Sequence, residues 1–221
     1  STYGRPAMRF RKGVAFAAEA GIALGPILFI LAILGLLAAA IASGGGSFNN
    51  SSASEAARTH AAALIQAGNL LKVGFSRLIG GGVEFDSIVI DPNSTANDTD
   101  LFSPSGGSVN VPMNTLANNP ASDGWHYPLA ALPQLGTSAT DRVALLKVSK
   151  ALCNQVNIKA NAISTDVDNG TLGADVGDVT TASLTGAASW PTPLIGQEVG
   201  CLKNTNAATP GYFYFQVLGI R

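Results

Sequence analysis

Cys153 and Cys201 are the only cysteines in this chain. In an oxidising compartment they would pair, closing a loop of about fifty residues and contributing about 3 to 4 kcal/mol on a chain-entropy estimate. The competing reading is two buried free thiols. With the two histidines, His60 and His126, they provide no zinc-ligand spacing. The run Asp166-Val167-Asp168-Asn169-Gly170, followed by Asp175 and Asp178, spaces oxygen ligands as a hard cation such as calcium requires. Its glycine arrives one position early for an EF-hand loop and no glutamate closes it, so a solvated Asx-rich turn is the better account. No Ser-His-Asp order, G-x-S-x-G or phosphate-cradling glycine loop stands out, and His126 between Trp125 and Tyr127 reads as a core-edge or surface residue. The expectation is a non-enzyme with no metal and no cofactor.

The elements around these residues begin with an apolar run from Val14 to Ala42 whose single charge is Glu19. A helix of that length at about 1.5 Å per residue covers the roughly 30 Å hydrocarbon core of a bilayer. A signal peptide has a shorter apolar core of about 7 to 15 residues, so this segment is expected to be retained as a membrane anchor. Arg5, Arg9, Arg11 and Lys12 precede it and the next basic residue is Arg58, which places the amino terminus in the cytoplasm and the main domain on the periplasmic or extracellular side. Only 12% of the residues are charged and the net charge is −1. That balance gives no reason to expect nucleic acid as a partner.

Within the span, Gly21 and Gly25 form a G-x-x-x-G pair suited to close helix packing, and Pro26 removes one backbone hydrogen bond and kinks the helix. Glu19 has two readings. It is either hydrated at headgroup level or paired with a basic group of an adjacent subunit, where an unpaired charge would be costly and so would enforce register. Together Glu19, Gly21, Gly25 and Pro26 are the candidate helix-packing residues.

Four regions follow: a basic amino terminus over 1–13, a transmembrane helix over 14–43, a Gly/Ser/Asn-rich hinge over 44–53, and an extracytoplasmic α+β domain over 54–221. Leu64, Leu71, Phe75 and Leu78 predict one face of an amphipathic helix starting near Ser54 and ending at Gly80-Gly81-Gly82. Val83–Ile90, Ser108–Val111 and Gly211–Gly219 read as strands, and Leu145–Asn157 as a short helix carrying Cys153. The fold class is therefore α+β, with a transmembrane helix, a second amphipathic helix and a small antiparallel sheet.

The basic patch, the apolar helix with one early glutamate, the amphipathic continuation, the strand-rich carboxy-terminal domain and the late cysteine pair together resemble type IV pilins and pseudopilins. The segments Ala62–Leu70 and Leu152–Asn157 are similar to stretches of such proteins. The resemblance implies removal of a basic leader and a glutamate, fifth in the mature chain, that neutralises a neighbouring subunit's amino group. Glu19 is the one candidate for that role; it is fifth after a cut behind Val14, sixth after a cut behind Gly13 and fourth after a cut behind Ala15.

The implied function is a non-enzymatic structural subunit whose apolar helix packs with copies of itself in a filament core while the outer domain forms the surface. The alternative is a single-pass accessory subunit of a larger membrane complex, its helix docked on partner helices. A third reading, a receptor or adhesin-like module, expects an exposed patch built from Trp125, Tyr127 and Trp190. Membrane lipid, and other copies or subunits met through the apolar helix, are the expected partners.

Overall fold

An unbroken helix, α1, covers residues 54–80, about 40 Å of rod. The computed structural model describes residues 54–93, 97–136, 140–184 and 189–221. The segment 14–43, with Glu19, Gly21, Gly25 and Pro26, and the hinge 44–53 lie outside these residues. Among the described residues no helix is long and apolar enough to cross a membrane.

The inner stripe of α1 is Ala57, Ala61, Leu64, Gly68, Leu71, Phe75 and Leu78, all buried, in alternating steps of four and three residues. That spacing keeps one side of a 3.6-residue helix facing the core. The helix ends as its glycines predict. Gly82 takes φ +89°, its N–H donates to the Ile79 carbonyl, and the Val83 N–H reaches back to the Leu78 carbonyl, each at 3.0 Å. Only a residue without Cβ enters that left-handed turn freely.

Among the described residues the sheet has six strands: β1 (Trp125–His126), β2 (Leu129–Ala130), β3 (Asp141–Val148), β4 (Gly173–Ala174), β5 (Val199–Asn204) and β6 (Gly211–Gly219). Their order is β1-β3-β6-β5-β4, with β2 also paired to β3. The predicted terminal strand is present and lies between β3 and β5. The sheet is mixed rather than purely antiparallel, because the two-residue β4 runs parallel to β5 while every other pair is antiparallel.

Both faces of β6 are buried, which explains its dense run of aromatic residues. On one face a Cβ added to Gly68 would overlap Tyr214 Oη, so α1 lies directly on this strand. Leu218 packs with Leu71, Phe75 and Leu78 on the same side. On the other face the Trp190 ring meets Phe215 edge-on at 5.0 Å. Each large side chain buried in this way contributes about 1.5–3 kcal/mol relative to exposure.

Three expected elements are corrected. Residues 83–90 are not a strand: Phe85–Ser87 is a 3-10 turn, followed by a single bridge from Val89 to Asp100. Strict alternation would place Phe85 and Ile88 on opposite sides, whereas the turn lets both reach the cluster formed with Phe75 and Leu78. Residues 108–111 are likewise not a strand, since Ser108 at φ +54° breaks the extended path. The helix expected over Leu145–Asn157 begins later. Residues 141–148 form β3, buried on both faces, and α2 runs over Lys150–Asn161 after Ser149, whose Oγ accepts from the Leu152 N–H at 3.3 Å.

Candidate functional site

Cys153 on α2 and Cys201 on β5 are joined by a disulfide, with 5.2 Å between their Cα atoms. Both are fully buried. The bond is the centre of a larger attachment. Asn157 is also fully buried, and its carboxamide reads the Cys201 backbone twice: Nδ2 donates to the carbonyl and Oδ1 accepts from the N–H, each at 2.8 Å. One turn on, Asn161 Nδ2 donates to the Val199 carbonyl at 2.8 Å. One turn back, Asn154 Oδ1 accepts from the Val167 N–H at 2.9 Å. The positions 154, 157 and 161 share one helix face, so α2 presents a row of asparagines to backbone that has no other partner. Sequence reading found the cysteines and missed the asparagines, although their three- and four-residue steps are visible in it.

The acidic run is anchored by lysines. Lys150 Nζ lies 3.1 Å from Asp166 Oδ1 and 2.8 Å from Asp168 Oδ2, Lys203 Nζ lies 2.8 Å from Asp168 Oδ1, and Tyr212 Oη donates to the same carboxylate at 3.0 Å. Lys150, then Lys203, hold the Asp168 carboxyl below the usual carboxylate range. The Asp168 N–H, then Lys150, lower Asp166. In return the two carboxylates, Asp168 first, push Lys150 up. Asp166, Asn169, Asp175 and Asp178 each accept a backbone N–H from two residues on, the Asx turns expected from the sequence. Among the described residues no group of three or more His, Cys, Asp or Glu is placed to hold a metal ion.

The remaining sequence candidates are scattered. His60 lies half-buried on α1. His126 Nε2 is 3.1 Å from Asp123 Oδ1. Trp125 and Tyr127 stack with centroids 6.5 Å apart, and Trp125 also meets Tyr214 edge-on at 6.0 Å. Burial pushes the Tyr127 hydroxyl well above its ordinary value. Trp190 is 5% exposed. These aromatics build the core and its margin, so the patch expected of a receptor-like module is not formed by them.

The exposed apolar side chains are aliphatic. On the outer side of α1, Leu70 is 55% and Val73 59% exposed. They border a groove of about 160 Å³ whose opposite wall is residues 107–110, and Arg77 Nη1, also in its lining, donates to the Gly107 carbonyl at 3.2 Å. Val111 and Met113 follow that wall in the chain and are also exposed. This surface can exchange water for another apolar face; the one hydroxyl in its lining, Ser108, donates to the Pro104 carbonyl at 2.7 Å. A shallower hollow of about 360 Å³ beside Trp190 and Pro191 is lined by no titratable side chain. No protein-family model matches the chain, and no curated protein or solved structure shows significant similarity to it.

Proposed function

We propose that this chain is a non-enzymatic, pilin-like structural subunit, anchored by the apolar segment 14–43 with its amino terminus cytoplasmic, whose outer domain forms the exposed surface of an assembly. The observation that carries this reading is the pairing of a long sheet-packed helix with a carboxy-terminal central strand and a late disulfide. In this plan α1 uses its inner stripe for its own sheet and keeps Leu70 and Val73 outward for neighbours. The apolar segment supplies the helix-helix contacts, with Glu19, Gly21, Gly25 and Pro26 setting register and closeness. Cys153–Cys201 suits the oxidising side of the membrane.

The test is the intact mass and morphology of the native assembly, together with copy number. A homopolymeric filament supports the structural role, and the mass shows whether a leader is removed. A compact particle holding one or a few copies among other polypeptides replaces it with the accessory-subunit reading.

A further inference from the structure

The outer edge of β5 is closed by two unlike devices. At its far end β4 pairs with Lys203 and Asn204 as a true strand. Over Val199–Cys201 no strand is present among the described residues; of the four outward backbone groups there, the Val199 carbonyl and the Cys201 N–H and carbonyl bond to Asn157 and Asn161 of α2, and the Val199 N–H bonds to neither. A side-chain carboxamide carries an NH2 donor and a carbonyl acceptor, and one of its N–H bonds points the same way as its carbonyl, as the N–H and C=O of one strand residue do. Asn157 therefore occupies the place that one residue of a neighbouring strand would take. Gly200 adds to the fit: a Cβ there would approach the Phe215 ring to 2.9 Å and the Asn161 Nδ2 to 3.1 Å, so the backbone comes close to α2 because this residue has none.

We propose that α2 is a strap that terminates the sheet at β5, its asparagines standing in for a strand and the disulfide holding them in place, so that a second copy of this chain cannot add a strand there. Unpaired edges are templates for edge-to-edge association. Proteins blunt them with charges, prolines, bulges or a covering helix or loop; here a covalently tethered helix also fills three of the edge's hydrogen bonds with its own side chains. A hydrophobic helix fixed by the disulfide alone would shield the edge but leave one N–H and two carbonyls unsatisfied in a buried place. The asparagine row removes that penalty. This inference concerns the domain over 54–221 and does not depend on the filament reading.

The test uses the full chain in detergent, with hydrogen exchange read by fragment and self-association read by sedimentation and by the intermolecular β-sheet infrared band. With Asn157→Leu, exchange at Cys201 rises about tenfold, the equivalent of one hydrogen bond, while β6 amides keep their protection. When Cys153→Ala and Cys201→Ala are added to Asn157→Leu, reversible association with the infrared band appears, and the two alanine substitutions alone produce less of it. Unchanged Cys201 exchange overturns the proposal. So does an equal rise across β6, because Asn157 would then be a general core contact, or a triple variant with no association. If Asn157→Leu does not fold, Asn161→Leu must raise exchange over Val199–Cys201 selectively, and a uniform rise overturns the proposal equally.

Discussion

Replacing both cysteines by alanine separates what the disulfide does to the folded state from what it does to the unfolded chain. The bonded residues are 48 apart in sequence. Chain-entropy reasoning assigns a closed loop of that size about 4 kcal/mol of stability at 25 °C. In a domain of this size each kcal/mol moves the midpoint by about 2–4 °C, so the Cys153→Ala/Cys201→Ala variant should melt about 8–16 °C lower. Both sulfur atoms are in fully buried side chains, and the small void left by alanine adds to the loss. The Asn157 and Asn161 bonds to β5 remain, so α2 keeps its position at 25 °C and the far-UV circular dichroism spectrum is unchanged. Thermal melts of the two full chains at pH 7 give the first number. Guanidinium titrations give the second: freeing the loop expands the unfolded ensemble, so the variant's m-value should rise. A drop of less than about 4 °C with an unchanged m-value would refute the loop-entropy account of this bond. Loss of helix signal at 25 °C would instead show that the asparagine bonds do not keep α2 folded on β5 without the disulfide.

Other expectations can be checked in the same preparations. Gly68→Ala places a methyl group against the buried Tyr214 and Gln216 side chains, and overpacking of about 1–3 kcal/mol outweighs the helix propensity gained. Gly80→Ala meets nothing within 4 Å and should stabilise by about 0.5 kcal/mol, so chemical denaturation must give opposite signs for the two. Because the folded Asp168 carboxyl is held below its unfolded value, its contribution is present above about pH 4 and lost as pH falls through the lower folded value. The Asp168→Asn stability curve should therefore approach the parent's at low pH and separate from it at neutral pH. Lys150 has the reverse sign: raised when folded, it contributes below about pH 10 and is lost as pH rises through its folded value, which a Lys150→Met curve should lack. Leu70→Glu/Val73→Glu should leave the melting point within about 1 °C, as for exposed sites, yet shorten or abolish native assemblies if the outer face of α1 is a contact.

The fold was legible where a pattern had one physical solution. The inner stripe of α1, its glycine stop and the terminal strand each combine a clear period with a clear end signal, and all three stand where the sequence put them. Pattern failed where two solutions shared it. Val143-Ala144-Leu145-Leu146 is apolar on every side because β3 is buried on both faces, and such a run reads equally well as helix. The Ser149 cap was the signal that separated them, since a Ser followed by α2's first turn fixes the helix start at Lys150. Residues 83–90 failed for the opposite reason: their alternation was real only in part, and contact with Phe75 and Leu78 overrode local preference.

The asparagines of α2 were illegible on different grounds. Hydrophobic periodicity reports which face of an element leaves water, but a carboxamide is polar whether it points to solvent or to backbone, so composition alone gives Asn154, Asn157 and Asn161 to the solvent side. What separates the two placements is a partner strand with an open edge, and a sequence does not display which strand lies last. The cysteines carry that information indirectly. A disulfide between a helix and a strand whose outer edge is partly open fixes the helix on that stretch, and a polar residue one turn away on the same face can then reach its backbone. Asn157 lies one turn from Cys153 and Asn161 two turns from it, and both bond β5. The pairing of Cys153 with Cys201 and the asparagine spacing are thus one signal, readable only once the bond and the strand order are known together.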